Sequence, residues 1–302
     1  MLADIRAFFA TRGVLEVQTP ALSPAANPDP AIDSLRCDTH LPGSASPQRC
    51  YLHTSPEFAM KRLLAAGSGD IYQLCRVFRD GEAGRLHQPE FTLLEWYRLG
   101  FDSQRLMNEV AELVRSLLNQ DLPEQRMSYR EAFLQYLDID PFTADDASLA
   151  ALAVRQGVDI SAPGMTRDDW LNLLMSHCIE PALPMHALVF IHGWPASQAS
   201  LARLSADGEA LRFELYLNGL ELANGFEELT DATEQRRRFE WDNRQRRRQG
   251  KPLMPIDEAF LSALAAGLPD CAGVALGIDR LMMIAAGRNH IHEVQVFPLN
   301  GG

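Results

Sequence analysis

Residues 271–281 read "CAGVALGIDRL", a strand that runs into a helix through two glycines, with Asp279 and Arg280 at the junction. Glycine inside a strand costs about 0.5–1 kcal/mol relative to alanine, so Gly273 and Gly277 point to a bulge or to a ligand lying close to the backbone. Ala275 stands between them on the same side of the strand.

The rest of the chain bounds what that ligand can be. With 302 residues, 46% of them hydrophobic, it can bury a large core, as one big domain or two ordinary ones. Apolar runs are broken by charge well short of a membrane span, and the N-terminus lacks the order of a signal peptide, so a cytoplasmic protein is expected. The five cysteines are widely spaced with no CxxC pair, which indicates neither a disulfide framework nor a zinc site. A net charge of -12 excludes a general nucleic-acid binder. One segment runs the other way: "EQRRRFEWDNRQRRRQGK" sets Arg236, Arg237, Arg238, Arg244, Arg246, Arg247 and Arg248 on one helix, either a solvated face or a docking patch for an acidic partner. Lysine is nearly absent, Lys61 and Lys251 being the only two.

Residues 1–11 carry Leu2, Ile5, Phe8 and Phe9 at helical spacing and stop before Gly13. The helix starts at Met1 without a capping residue, so an upstream turn or two is expected. "VLEVQTP" reads as a short strand and 23–34 as a Pro- and Ala-rich loop. "IYQLCRVFR" and "FTLLEWY" read as strands joined by the polar loop "DGEAGRLHQPE". From 128 to 186 the pattern is helical, and strands resume at "ALVFIHGWP". Strands at both ends of a helical block predict one antiparallel α+β domain over 1–302 carrying a helical insertion at 128–186.

In "FELYLNGLELANGFEEL", Asn218-Gly219 is the residue pair that a type I′ hairpin turn favours. Counting outward, Leu217 should face Leu220, Tyr216 face Glu221 and Leu215 face Leu222, which makes Glu214 and Glu221 diagonal neighbours. Two such carboxylates form a polar solvent face or hold Mg²⁺ bridging to phosphate oxygens. The loop after Arg79 adds Arg85 and His87 as cations for phosphate, and Phe91 as an aromatic face for a base.

"GVLEVQTP" (13–20), "CRVFRDGEAGRLHQPEFTLLEW" (75–96) and "GVALGIDR" (273–280) resemble, in order, the three signature motifs of class II aminoacyl-tRNA synthetases, in the detail of the lysyl enzyme. "TSPEFAMKRLL", "LELANGFEELTDA" and the Glu214 to Glu221 spacing are similar to that family too. The resemblance implies an antiparallel sheet flanked by helices. The first motif begins after about a dozen residues, which leaves no room for an anticodon-binding barrel, so that domain is expected to be absent. "LCRVFR", "PEFTLLEWYR", Trp194 to Leu201 and "PDCAGVALGIDRL" resemble most the elongation factor P lysine ligases. That family activates (R)-β-lysine with ATP and joins it to the ε-amino group of one lysine on elongation factor P.

The resemblance implies the following roles. Arg79 and Arg280 are the catalytic cations, on the α-phosphate and the γ-phosphate, with Arg280 covering adenine opposite Phe91. ATP is held by Arg79, Asp80, Gly81, Gln88, Phe91, Glu221, Leu222, Gly277 and Arg280, and Mg²⁺ by Glu214 and Glu221. Glu228, helped by Tyr97, receives the distal ammonium of β-lysine; Glu57 with Ser55 receives the nearer amine. Asn224 orients the carboxylate. Ala275 occupies the middle place of what the lysyl synthetases leave as Gly-x-Gly-x-Gly, and its methyl is expected either to crowd the place of an α-amino group or simply to stiffen the strand. Elongation factor P, not tRNA, is the acceptor, no membrane is involved, and a homodimer is implied; the arginine run at 236–248, and not the resemblance, makes that helix the candidate dock. Two positions depart from the pattern. Gly81 stands where the family carries a glutamate that contacts adenine, with Glu82 one place later, and Gln88 stands for asparagine. Either Glu82 reaches the base, or backbone and Phe91 hold ATP. The alternatives are a catalytically silent regulatory relative and a free-standing lysyl transferase with another acceptor.

Overall fold

The computed structural model describes residues 1–158 and 164–298. In chain order they form α1 (Leu2–Ala10), β1 (Leu15–Glu16), β2 (Leu22–Ser23), β3 (Arg36–Thr39), β4 (Gln48–Leu52), α2 (Glu57–Ala65), β5 (Ile71–Phe78), β6 (Glu90–Leu99) and α3 (Ser103–Leu118). There follow β7 (Glu124–Ser128), α4 (Tyr129–Leu137), α5 (Asp146–Arg155), α6 (Arg167–Leu174), β8 (Leu188–Trp194), β9 (Ala210–Leu217) and β10 (Leu220–Glu227). The chain closes with α7 (Ala232–Arg248), α8 (Glu258–Gly267), β11 (Cys271–Gly277) and α9 (Ile278–Ala286). The architecture is α+β and divides into two compact units, Met1–Asp102 with Glu228–Gly302, and Ser103–Glu227.

In the first unit the strand order is β1-β5-β6-β11, with a small sheet β2-β4-β3 beside it in sequence. Register sets the two faces. Tyr72 pairs with Trp96, and Trp96 with Val274, on one face; Phe9 of α1 stacks on Tyr72 at 4.4 Å and meets Trp96 edge-on at 5.5 Å. That face is core. Only Ile5 and Phe9 of the expected α1 stripe are buried, while Leu2 is exposed, because the helix covers the sheet with a single narrow edge. Alternate residues face the other way. Across β5, β6 and β11 they form rows: Ile71, Tyr97 and Gly273; then Gln73, Glu95 and Ala275; then Cys75, Leu93 and Gly277; then Val77 and Phe91. Polar side chains there are out of place in a core strand, which marks this face as the working one.

The second unit has the order β10-β9-β8-β7. Its core gathers Tyr129, Phe133, Leu149, Leu171, Ile191 and Trp194 between the helices and the sheet. Two pairings correct the antiparallel expectation: β1 runs parallel to β5 in the first unit, and β7 parallel to β8 in the second. A parallel pair requires a long crossover. The helical stretch expected at 128–186 is that crossover from β7 to β8; residues 159–163 within it lie outside the described residues.

The arginine-rich helix α7 is also corrected. Its buried positions are Gln235, Phe239 and Arg246, four and seven residues apart and so on one face. Arg246 is fully buried. Its guanidinium pairs with Asp33 and donates to the carbonyls of Pro252 (2.7 Å), Asp29 (3.0 Å) and Ile32 (3.3 Å). Lys251 joins Asp33 at 3.0 Å and the Pro30 carbonyl at 2.6 Å, so the 23–34 loop is pinned to this helix. Arg246→Leu is expected to destabilise the protein by about 3 kcal/mol, since buried acceptors lose their donor, while the exposed Arg244→Glu should change stability by no more than about 0.5 kcal/mol. Urea midpoints of the two variants check this.

Candidate active site

Glycine at 273 answers a packing demand made by the protein itself. A Cβ there would lie 2.3 Å from Tyr97 Cε1 and 2.6 Å from Glu228 Oε1. The strand floor is thus bare so that the Tyr97 ring and the Glu228 carboxylate can occupy it, which corrects the expectation that a ligand alone forbids the side chain.

Around that floor the first unit assembles a buried polar cluster. Ser55 donates to Glu95 Oε2 at 2.6 Å and receives the Glu57 amide at 3.0 Å, which sets the start of α2. Tyr97 donates its hydroxyl to Glu95 Oε1 at 2.7 Å. Glu57 and Lys61, one turn apart on α2, are joined at 2.6 Å, and Lys61 also meets Glu228 Oε2 at 2.5 Å. Phe58 stacks on Phe260 of α8 at 4.6 Å and holds α2 in place. Two members escaped the sequence reading. Glu95 hides in "FTLLEWY", which reads as a continuous apolar strand, and Lys61 reads as an ordinary surface lysine of an amphipathic helix.

The electrostatics follow from crowding. Burial pushes the Glu95 carboxyl up to about 7, with the Glu57 charge adding, against the Ser55 and Tyr97 donors. Glu228 is likewise raised by burial, with Lys61 opposing. Burial alone would strip the proton from Lys61, but Glu228 and Glu57 outweigh it and hold the ammonium above its usual range. A carboxyl raised on folding binds a proton that the unfolded chain has lost, so stability falls as pH rises through the raised value. The ligand-free protein is therefore expected to melt lower at about pH 8 than at about pH 5, with Glu95→Gln flattening the slope. Thermal melts at fixed ionic strength check it.

On the same face, further along β6, lie the cationic and aromatic groups. Arg79 sits 5.0 Å over the Phe91 ring and 3.6 Å from Glu82, and its Nε is buried with no partner. Gln88 is buried with its Oε1 unpartnered. Such orphaned groups suit a ligand with phosphates and a base. Arg280 lies against the loop, 2.7 Å from His87 Nε2 and 3.5 Å from the Leu86 carbonyl. Asp279 accepts the Thr92 amide at 2.5 Å, tying the start of α9 to β6. Gly277 is the N-cap of α9 at φ -75. Gly81 has φ +78, a conformation that excludes most side chains, so the family's glutamate would be strained here; Glu82 turns toward Arg79. Asp80 is exposed, its amide bonded to the Asp33 carbonyl at 2.7 Å. Arg85, expected on phosphate, donates to the Asn289 carbonyl at 3.1 Å instead, bracing the loop against the C-terminal segment.

In the second unit the hairpin register begins as expected: Leu217 faces Leu220 and Tyr216 faces Glu221. Then Leu215 faces Ala223 rather than Leu222, because the strand bulges between Glu221 and Ala223. The extra residue flips the alternation, so Asn224 comes opposite Glu214 on the face that also holds Glu221. Without the bulge Asn224 would point the other way. Glu214 accepts from Arg212 and from the Tyr216 hydroxyl; Asn224 lies 3.4 Å from its Oε1. Burial raises Glu214 to about 7, with Arg212 opposing and Glu221 adding. Two carboxylates that repel in this way fit a divalent cation carrying phosphate ligands. Among the described residues no cluster of three or more metal-ligating side chains exists, so any such ion depends on its phosphates.

Residues 1–301 match the class II tRNA synthetases of the D, K and N type, the family to which the chain belongs. Among curated proteins it is 52% identical to the elongation factor P–(R)-β-lysine ligase of Proteus mirabilis, over 99% of this chain and 93% of that one. The proteins of the same name from Photorhabdus laumondii and Yersinia enterocolitica are each 50% identical over the same shares. No helix among the described residues is long and apolar enough to cross a membrane.

Proposed function

We propose that the protein activates (R)-β-lysine with ATP and Mg²⁺ and transfers it to one lysine of elongation factor P. The observation that carries the reading is the cluster of three carboxylates, the buried Glu95 and Glu228 and the partly buried Glu57 of α2, in the same unit as Arg79 and Phe91. The substrate carboxylate attacks the α-phosphorus and pyrophosphate leaves; the acceptor amine then attacks the acyl carbonyl and AMP leaves. No side-chain nucleophile is needed, so positioning and charge do the catalysis. Arg79 offers Nε to the α-phosphate, and Arg280 meets the γ-phosphate. Glu214 and Glu221 would hold Mg²⁺, which neutralises phosphate charge. Glu228 and Glu57, with Glu95 held by the Ser55 and Tyr97 hydroxyls, receive the two ammonium groups, and Asn224 would orient the carboxylate. The dock for elongation factor P narrows to Arg244, Arg247 and Arg248, the exposed arginines of the C-terminal half of α7, since the exposed Arg237 is paired with Glu234.

ATP–pyrophosphate exchange tests this. Exchange should appear with a lysine isomer and Mg²⁺, and its absence with every isomer would reject the reading. Ala275 faces Glu95 across β6 and β11, on the carboxylate face. Its methyl crowds the place of an α-amino group, so Ala275→Gly is expected to move the kcat/KM ratio of α- to β-lysine upward by roughly ten- to a hundredfold, the worth of one methyl in a pocket. A ratio within about twofold means that the alanine only stiffens the strand.

A further inference from the structure

We propose that Lys61 is a positioning residue that acts as a resident third ammonium of the amino-acid site, so that only a substrate carrying two ammonium groups completes its charge balance. The proposal rests on the diamino-acid reading of this site. Lys61 has no solvent-exposed side-chain surface, and its Nζ meets Glu57 Oε1 at 2.6 Å and Glu228 Oε2 at 2.5 Å. A buried ammonium is costly to desolvate, and this one lies 6.0 Å from the Phe260 ring, an apolar wall that leaves the two carboxylates as its compensation. In a chain whose cations are arginines except at two positions, a lysine here is not compositional drift. Lysine is also the compact cation: three donors on one nitrogen can bridge Glu57, one helical turn away on α2, and Glu228, which comes from a remote part of the chain.

The charge count then sets selectivity. The groups around Lys61 are Glu57 and Glu228, which touch it, and Glu95, which interacts with it through charge; the Tyr97 phenol, which interacts with the same three carboxylates, is kept neutral by burial. One cation stands against three carboxylates. Two substrate ammonium groups close the count, while a monoamino acid leaves one carboxylate either charged and unpaired or protonated. Lys61 also fixes direction. By drawing Oε2 of Glu228 and Oε1 of Glu57 to itself, it turns Glu228 Oε1 to the strand floor at Gly273.

The test begins with pyrophosphate exchange by the unaltered protein; failure there with every lysine isomer rejects the diamino-acid reading and with it the role of Lys61 as its third ammonium. With exchange in hand, Lys61→Met is measured. The KM for (R)-β-lysine at about pH 7 should rise roughly a hundredfold and recover at least tenfold by about pH 8.5 as the unpaired carboxylates ionise, with kcat and the KM for ATP within about threefold. A structural filler would lose stability and leave the KM and its pH profile in place; that result, or a fall confined to kcat, would overturn the proposal. If Lys61→Met does not fold, calorimetry of the unaltered protein decides. Binding of (R)-β-lysine at about pH 7 should release about one proton or more to the buffer, and norleucine distinctly fewer. Equal release by the two ligands would contradict the charge count.

Discussion

Glu228→Gln is expected to lower kcat/KM for (R)-β-lysine by several hundredfold or more while leaving the fold intact. An ammonium held in a desolvated pocket loses its countercharge at a cost of about 3–5 kcal/mol, and each 1.4 kcal/mol is about tenfold in rate. Glu228 is 1% exposed, and its carboxyl is already raised by burial, so a neutral isostere removes a charge that folding had to desolvate. Stability should fall modestly, because Lys61 loses one of its two carboxylates while the cost of desolvating Glu228 is removed. Lys61 retains Glu57 as its partner in the variant. The KM for ATP should stay within about threefold, because Arg79, Gln88 and Phe91 do not touch position 228. Steady-state exchange kinetics and a urea melt measure both halves. A kcat/KM change below tenfold would mean that the amine binds elsewhere.

Gly273→Ala is expected to damage the same site from the opposite direction. The added methyl would sit 2.3 and 2.4 Å from the Tyr97 ring and 2.6 Å from Glu228 Oε1, all far inside contact distance. Something must move. The ring is fully enclosed and bonded to Glu95, so its displacement breaks that hydrogen bond and swings the carboxylate pair out of line. Overpacking of this kind costs about 1–3 kcal/mol of stability. The effect on β-lysine use should be larger, a hundredfold or more in kcat/KM, since misplacement by about 1 Å can cost that much. Ala275→Gly, two residues along the same face, should instead alter which lysine isomer is used. Activity of Gly273→Ala near the unaltered level would show that the floor is not shared by Tyr97 and Glu228 in solution.

Much of this was legible in the sequence because the motif stretches are local. Asn218-Gly219 set the turn, and both residues have positive φ, 55 and 71. The strand-to-helix passage at 271–281 formed as read, from β11 to α9. What stayed hidden depended on alternation and on partners remote in sequence. The bulge at Leu222 inserts one residue without any turn-forming side chain to announce it, yet it decides which face Asn224 joins. Glu95 lies among apolar neighbours, and nothing local says that Ser55, forty positions earlier, will donate to it. Arg246 carries a weak signal that could have been used, since it falls seven residues after Phe239 on the helical repeat, but six other arginines masked it. Lys61 is one turn after Glu57, a spacing that looks like any surface ion pair until Glu228 closes over it.

Mass spectrometry of elongation factor P identifies the acceptor. The factor is incubated with the protein, ATP, Mg²⁺ and (R)-β-lysine, digested, and each lysine examined, with tRNA offered in a parallel reaction. The account predicts one lysine acylated on its ε-amino group and tRNA left uncharged. An unmodified factor from a preparation that exchanges pyrophosphate, or tRNA charged with comparable efficiency, would contradict it.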